Sequence, residues 1–389
     1  MPMDDSRSRP AKGHPVNIPL TREACEQQDT WPYGGPMSRR QAVTLLGIGA
    51  GLGFLSAAGP AARLLAAPWQ AAASGTRKVT FPRGAVIRTI LKDVPPEALA
   101  TGTTLFHEHL DGVYSRDTRQ LKLPPPSSAD ITPVIADVEG AMKNGLVCIV
   151  DGGHPDMGVN YEHLKEISRK TGLHVVASGG YYIQNTYPAE ISTMSEDQIA
   201  EGLVKEAAAG RYGAYGEIGD MPGEADFTAD ERKVYRAVGK AHVKNNLPIF
   251  THNNYGTGPN VPREIALRQL DVYESVGVDP RRMAIGHMDS LVGRDPDIMK
   301  ALARRGAFVG IDRIRGEAKA DEDRVALILG FLEAGYSDRL LLSSDTRRDY
   351  SKVARFVKQL QAAGVSDAVL HTILVDNPRT FLAFVPKKA

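Results

Sequence analysis

The chain has 389 residues, of which 42% are hydrophobic and 24% are charged, and these proportions are those of an ordinary globular protein. Seven of the 47 basic and five of the 46 acidic side chains lie in the first 73 residues, which leaves 40 basic and 41 acidic side chains in residues 74–389. A body with a net charge of −1 has no basic field for a polyanion, so no nucleic acid is expected as a partner.

The first 73 residues differ from the rest of the chain. Residues 1–36 are polar, rich in proline and glycine and without periodicity, which predicts disorder or a misassigned start at which Met37 is the true first residue. In residues 37–73, Arg39 and Arg40 precede an uncharged stretch rich in glycine and alanine, followed by small-residue cleavage sites. This layout resembles a twin-arginine signal and predicts export to the periplasm, with a single membrane anchor as the alternative.

Residues 74–389 alternate between short apolar strands and amphipathic helical patterns. Strands are predicted at Thr103–Phe106, Leu146–Val150, His174–Ala177, Ala214–Tyr215, Pro248–Phe250, Met283–Ile285, Ala307–Ile311 and Leu340–Leu342. Helices are predicted between them, for example at Pro133–Lys143, Tyr161–Lys170, Asp197–Ala209, Ala229–Asn245, Pro262–Gly277, Asp323–Ala334 and Lys352–Ala363.

Eight strand and helix units in roughly 290 residues predict an α/β protein with the (β/α)8 architecture of a TIM barrel. An open doubly wound sheet is the alternative, but no glycine-rich phosphate loop follows the first strand. Apolar residues alternate in residues 76–100, which predicts a short β lead-in before the barrel. Of the two cysteines, Cys148 lies in an apolar run and Cys25 in the N-terminal extension, so no disulfide framework is expected.

Residues of metal-ligand type stand at the carboxyl ends of several predicted strands. The first strand ends with His107 and His109, whose side chains leave the strand on the same side. Four later strands are followed by a histidine or a carboxylate, namely Glu217, His252, His287 and Asp345. Because the carboxyl ends of barrel strands share one rim, these side chains predict a centre of two divalent ions with a carboxylate between them.

Several motifs occur in a characteristic order along the chain. They are Thr104-Leu105-Phe106-His107-Glu108-His109, Thr251-His252, Ile285-Gly286-His287-Met288-Asp289, Gly310-Ile311-Asp312-Arg313-Ile314, Ser344-Asp345 and Asp376-Asn377-Pro378-Arg379-Thr380-Phe381-Leu382. Together they resemble the phosphotriesterase family of the amidohydrolase superfamily, from about Val86 to Phe384. The resemblance implies a metal-dependent hydrolase of organophosphate triesters, lactones or other esters.

The resemblance also implies which residues hold each metal ion. His107, His109 and Asp345 are expected to hold the more buried ion, and His252 and His287 the more exposed one. Zn²⁺ is the expected metal, with Co²⁺ or Mn²⁺ as alternatives. The implied nucleophile is a hydroxide between the two ions, and Asp345 is expected to accept its proton.

The bridging position departs from the commoner pattern of the family. Many members bridge the ions with a carboxylated lysine after the fourth strand, whereas this chain has Glu217 in the sequence Gly216-Glu217-Ile218-Gly219. The subgroup called phosphotriesterase homology proteins has a glutamate there. Because Glu217 is already a carboxylate, the bridge needs no carbon dioxide adduct.

Substrate contacts are predicted from three residues near the rim. Tyr181 follows the third strand, where lactone-hydrolysing relatives carry a tyrosine beside the metals. Arg313 and Arg347 are placed to clamp a substrate carboxylate or phosphate, and a salt bridge on the rim is the alternative for such arginines. The roles of His154 and Arg348 stay open, and the loop 253–262 is expected to act as a lid.

Two other functions remain as alternatives to a hydrolase of small-molecule esters, lactones or phosphoesters. The Gly-Glu-Ile-Gly sequence also occurs in metal-dependent nucleases of the TatD type, but the His-Glu-His stretch and the missing basic field disfavour a phosphodiesterase of that kind. A non-catalytic metal-binding barrel in the periplasm is disfavoured because Asp345 and the bridging carboxylate are both present. A homodimer is compatible with the sequence.

Overall fold

The structure is a computed structural model that describes residues 79–112, 126–220, 225–254, 261–290 and 295–387. The predicted disordered segment 1–36, the predicted signal segment 37–73 and Cys25 lie outside these ranges. Among the residues just given, no helix combines the length and the apolar character that a membrane crossing requires.

In the described ranges, eight parallel strands pair in chain order and curl into a nearly closed barrel. They are β3 (Thr103–Glu108), β4 (Leu146–Asp151), β5 (His174–Gly179), β6 (Ala214–Ile218), β7 (Ile249–Thr251), β8 (Met283–Ile285), β9 (Phe308–Ile311) and β10 (Leu340–Leu342). Just beyond β10, the amide of Asp345 donates to the carbonyl of His107 (3.2 Å), and the amide of His109 donates to the carbonyl of Thr346 (3.0 Å). These bonds bring the last strand against the first, and the predicted TIM barrel is confirmed.

Helices surround the barrel on its outer side. They are α1 (Thr132–Met142), α2 (Tyr161–Thr171), α3 (Glu196–Gly210), α4 (Ala229–Asn245), α5 (Ile265–Glu274), α6 (Asp297–Arg305), α7 (Glu322–Glu333), α8 (Lys352–Ala362), α9 (Asp367–His371) and α10 (Asn377–Leu382). The starts of α3 and α4 are fixed by capping boxes, Ser195 with Gln198 and Thr228 with Glu231, which satisfy amide groups that the first helical turn leaves unpaired.

The predicted lead-in is an antiparallel hairpin of β1 (Ile87–Arg88) and β2 (Asp93–Val94). It lies at the amino-terminal end of the barrel strands, where Val86 also pairs with Phe384. An apolar interior forms from the hairpin, α10 and inward-facing strand side chains, including Ile87, Phe106, Cys148, Phe250, Phe308 and Phe381. A register shift in β3 after Leu105 lets Phe106 face this interior while His107 also faces the inside of the barrel. Because this interior is apolar, the candidate metal ligands lie above it, at the opposite rim of the barrel.

Candidate metal centre

The six predicted ligands converge at the carboxyl ends of the strands, and Glu217 lies between the others. Its Oε2 oxygen is 3.3 Å from Nε2 of His107 and 3.3 Å from Nε2 of His109. Asp345 completes this side of the site, with its Oδ1 3.1 Å from Nε2 of His109 and 3.9 Å from Nε2 of His107. Two imidazoles and two carboxylates therefore face one another here within the reach of a single ion.

The other oxygen of Glu217 faces a second group of ligands. Oε1 is 2.8 Å from Nδ1 of His252 and 3.3 Å from Nε2 of His287. The two imidazole nitrogens lie 2.9 Å from each other. Glu217 thus turns one oxygen to each group, which is the arrangement of a carboxylate that bridges two ions.

Burial and charge act against each other throughout the site. Burial opposes ionisation of Glu217, yet the imidazoles of His107, His109 and His252 hold its pKa well below the usual range. Burial likewise opposes ionisation of Asp345, but a hydrogen bond with His109 and the nearby His107 lower its pKa to about 2. Although burial disfavours a charged His109, Asp345 and Glu217 raise its pKa to about 9. Both carboxylates are therefore ionised in a largely buried site and are stabilised by nearby positive charge.

The residues present fit divalent ions that would supply this charge. Nε2 of His107 is buried and has no hydrogen-bond partner among the described residues, although it faces Glu217 and Asp345. The end of β4 also leaves room beside it, because a Cβ atom on Gly152 would lie 3.0 Å from this nitrogen. Histidine nitrogens and carboxylate oxygens are the donors that Zn²⁺ and similar ions prefer.

Asp312, at the end of β9, orients two ligands that belong to different groups. Its Oδ2 accepts a hydrogen bond from Nδ1 of His107 (2.9 Å), and its Oδ1 accepts from Nδ1 of His287 (2.8 Å) and from the His287 amide (2.8 Å). Burial opposes its ionisation, but these two histidines hold its pKa below the usual range. With a proton on each Nδ1, both imidazoles present an Nε2 lone pair to an ion. The Gly-Ile-Asp-Arg-Ile motif contains this residue, but the sequence does not predict its role.

Glu108 lies between His107 and His109 in β3, and its side chain points to the opposite face of the strand. Burial raises its pKa to about 7, while hydrogen bonds from Thr346, Ser344 and Ser343 act in the opposite direction. Glu108 is a buried carboxylate next to the site, and the sequence does not predict its contacts with residues 343–346.

His154, whose role the sequence leaves open, supports the strand that carries Glu217. Its Nε2 contacts the carbonyl oxygen of Gly216, and its Nδ1 lies 3.4 Å from Oδ1 of Asp156. Asp156 in turn accepts hydrogen bonds from the amide of Tyr182 (2.8 Å) and from the hydroxyl of Thr186 (2.6 Å). These contacts connect the loops that follow β4 and β5 to Gly216, the residue that precedes Glu217.

The tyrosine beside the ligands is Tyr182, while the sequence predicts Tyr181. The hydroxyl of Tyr182 is 3.4 Å from Nδ1 of His252, and the two rings lie edge to face at 5.1 Å. The ring of Tyr181 packs against Tyr187 instead. Gly180 has a φ of +131° and interrupts the alternation that a continued strand would have. The side chain of Tyr182, rather than that of Tyr181, therefore faces the site.

The arginines of the rim take different positions. Nε of Arg313 lies 3.7 Å from Oδ2 of Asp345, and its Nη1 donates to the hydroxyl of Ser290 (2.7 Å). Arg347 is exposed and donates to the carbonyl of Gly112 (3.0 Å). Arg348 forms an ion pair with Asp137, which is the salt bridge on the rim that the sequence predicts as the alternative to a substrate contact. Of the two arginines predicted to contact substrate, the structure brings Arg313 to the metal ligands. Residues 255–260 of the predicted lid lie outside the described residues.

The chain is similar to known proteins in sequence and in fold. The sequence model of the phosphotriesterase family matches residues 87–382. The phosphotriesterase homology protein of Escherichia coli K12 is 30% identical over 299 residues, which cover 72% of this chain and 98% of that protein. An aryldialkylphosphatase of Saccharolobus solfataricus is 28% identical and covers 74% of this chain and 96% of its own. The crystal structure of a lactonase from Listeria monocytogenes covers 78% of this chain and 100% of its own, with a TM-score of 0.62 and 27% identity. The chain therefore belongs to the phosphotriesterase family and is a metal-dependent hydrolase.

Proposed function

We propose that the protein is a two-metal hydrolase that cleaves the ester bond of a lactone, a carboxylic ester or an organophosphate triester. The observation that carries this proposal is the position of Glu217, whose two oxygens face two separate groups of ligands. A single ion would leave one of these groups unused. The names of two relatives, an aryldialkylphosphatase and a lactonase, support the proposed substrate class.

His107, His109 and Asp345 would hold one ion and His252 and His287 the other, with Glu217 in contact with both. When bound, the ions supply Lewis acidity and an ionised water nucleophile at neutral pH. Zn²⁺ is the proposed metal because the donors are imidazole nitrogens and carboxylate oxygens, and Co²⁺ or Mn²⁺ are the proposed substitutes.

Asp345 is the proposed proton acceptor during the attack. Its side chain is 21% exposed, whereas that of Glu217 is 3% exposed, so a proton taken up by Asp345 has a path to solvent. Its pKa, lowered to about 2, keeps the carboxylate ionised at neutral pH before the attack.

Arg313 is the proposed contact for the negatively charged part of the substrate or of its transition state. Burial acts to lower its pKa, but the carboxylates of Asp345, Asp289 and Asp312 raise it above the usual value, so the guanidinium stays charged. The side chain of Arg313 is 25% exposed, and its guanidinium lies beside Asp345 and offers several donors in a planar fork. An oxygen on the atom under attack would thus meet a positive charge in addition to the ions.

A panel of substrates tests the proposal. Metal content is measured on the purified protein, which is then assayed with and without chelator on lactones, aryl esters, phosphotriesters and single-stranded DNA. We expect two ions per chain and chelator-sensitive hydrolysis in at least one of the first three classes. The Asp345→Asn variant should retain most of the metal and lose most of the turnover. Two bound ions with no hydrolysis would indicate a binding protein, and hydrolysis of DNA alone would indicate a phosphodiesterase.

A further inference from the structure

Glu108 connects the first strand of the barrel to the segment that carries the last metal ligand. Successive side chains of a strand point to opposite faces, so the residue between His107 and His109 cannot join them at the metal centre. The side chain of Glu108 is fully buried and reaches residues 343–346 instead. It therefore meets the polypeptide on both sides of Asp345.

The two oxygens of Glu108 divide the donors of this segment between them. Oε1 accepts from the amide of Ser344 (2.7 Å) and from the hydroxyl of Ser343 (3.0 Å), and Oε2 accepts from the amide of Thr346 (2.9 Å). The Ser344 hydroxyl lies 2.8 Å from one oxygen and 3.0 Å from the other. A hydroxyl can rotate to another acceptor, whereas the two amides are fixed by the backbone. These two amides belong to the residues immediately before and after Asp345.

We propose that Glu108 is a positioning residue that holds Asp345 in the orientation in which its carboxylate faces the metal ligands. Asp345 has a φ of +45°, in the left-handed region that residues with a side chain rarely adopt, so its conformation depends on bonds from neighbouring residues. Glu108 supplies an acceptor to the amide on each side of it. The proposal rests on the proposed two-ion function, since it concerns the orientation of one ligand of that centre.

A carboxylate is required because both of its oxygens accept hydrogen bonds. In Glu108→Gln, the side chain keeps one acceptor oxygen, and its amino group would face the second amide as donor against donor. One of the two amides beside Asp345 then loses its partner. The shape and volume of the side chain stay nearly the same, so the variant changes the hydrogen bonds and little else.

The test measures ion affinity by competition with a chelator, together with the visible spectrum of the Co²⁺-loaded protein. Glu108→Gln is expected to weaken the binding of one of the two ions about 10- to 100-fold, to change part of the Co²⁺ spectrum and to lower kcat more than it changes KM. Asp321→Asn is the matched control. Asp321 is a buried carboxylate that accepts hydrogen bonds from the amides of Arg315, Gly316 and Glu317 in the segment that leads into α7, and its variant is expected to keep both ions.

A double-mutant cycle separates positioning from general damage. In an Asp345→Asn background, Glu108→Gln is expected to weaken ion binding little further, because the residue through which it acts has already been changed. Equal losses in the two backgrounds, or equal weakening of both ions, would overturn the proposal. If Glu108→Gln does not fold, Glu108→Asp is tested in its place, since it retains two oxygens with a shorter reach. It is expected to weaken the binding of one ion by less than the loss expected for Glu108→Gln.

The outcomes also distinguish this proposal from the proposed function. If the unaltered protein binds two ions and Glu108→Gln binds both with unchanged affinity, the positioning role is refuted and the two-ion hydrolase stands. If the unaltered protein binds fewer than two ions at saturation, the proposed function itself fails.

Discussion

Replacing Asp312 by asparagine should weaken one ion of the centre selectively. The Asp312 carboxylate accepts hydrogen bonds from Nδ1 of both His107 and His287, and the oxygen that faces His287 accepts from the His287 amide as well. An asparagine has a single acceptor oxygen, and we expect it to stay where two N–H groups already point. Its amino group would then face His107, whose Nδ1 can meet that donor only by giving up its proton.

The consequence for metal binding follows from the tautomer. If Nδ1 of His107 becomes the acceptor, the proton moves to Nε2, which is the atom that faces Glu217 and Asp345. A protonated nitrogen cannot bind an ion, so the preferred tautomer has to be restored at a cost. A hydrogen bond to a charged group contributes about 1.5–3 kcal/mol, which corresponds to about 10- to 100-fold in affinity. Loss of this size at the ion held by His107 is the expected result.

The assay is chelator competition, followed by measurement of the metal retained per chain. Asp321→Asn makes the same chemical change in a buried carboxylate that holds backbone amides and contacts none of the predicted ligands, so it controls for loss of stability. The reasoning is refuted if Asp312→Asn retains both ions as tightly as the unaltered protein, or if both ions weaken equally.

Three further perturbations test other parts of the structure. In Gly152→Ala, a Cβ atom 3.0 Å from Nε2 of His107 should reduce the metal content. The control Gly140→Ala, in α1 with nothing within 4 Å of the added Cβ, should keep two ions and gain up to about 1 kcal/mol of stability. Full metal content in Gly152→Ala would show that the ions do not need the space beside His107. Chelator treatment should abolish hydrolysis, and Zn²⁺ should restore the activity. The restored activity should be the same with and without bicarbonate, because Glu217 is a native carboxylate and needs no carbon dioxide adduct. A requirement for bicarbonate would exclude Glu217 as the bridge. Burial lowers the pKa of His242 to about 4, so its neutral form is favoured in the fold, and the unfolded chain takes up the proton first on acidification. The contribution of His242 to the free energy of unfolding should be complete above about pH 6.5 and decline by up to about 3 kcal/mol towards pH 4. Urea unfolding of His242→Gln should therefore show a weaker pH dependence between these two values. An unchanged pH profile would rule the assignment out.

The fold could be predicted because a parallel barrel repeats one simple pattern. The strands Met283–Ile285 and Leu340–Leu342 have the predicted bounds, since each is an isolated apolar run. Strands predicted from apolar runs end too early where the strand continues through polar residues or glycine. The predicted strands end at Phe106 and Tyr215, whereas β3 extends to Glu108 and β6 to Ile218. Two of the candidate ligands, His107 and Glu217, consequently lie within the last residues of strands, whereas the other four follow strand ends.

The convergence of the candidate ligands was easier to predict than the residues that orient them. Strand ends share a rim, so a residue of ligand type at a strand end has a predictable location. The hydrogen bond that Asp312 accepts from His107 joins residues 205 positions apart and leaves no pattern in either segment. The choice between Tyr181 and Tyr182 depends on the backbone at Gly180, whose positive φ a single sequence does not show.

The segment His107-Glu108-His109 shows why one motif can be predicted only in part. The spacing of two predicts the metal centre, because it directs the imidazoles of His107, in β3, and of His109, just beyond the end of β3, to the same side. The same spacing places the middle residue on the other face, where its carboxylate accepts the amides on both sides of Asp345. Two candidate ligands and the proposed support for a third therefore come from three consecutive residues. A change at Glu108 should reach the metal centre through Asp345, although the Glu108 side chain points away from that centre.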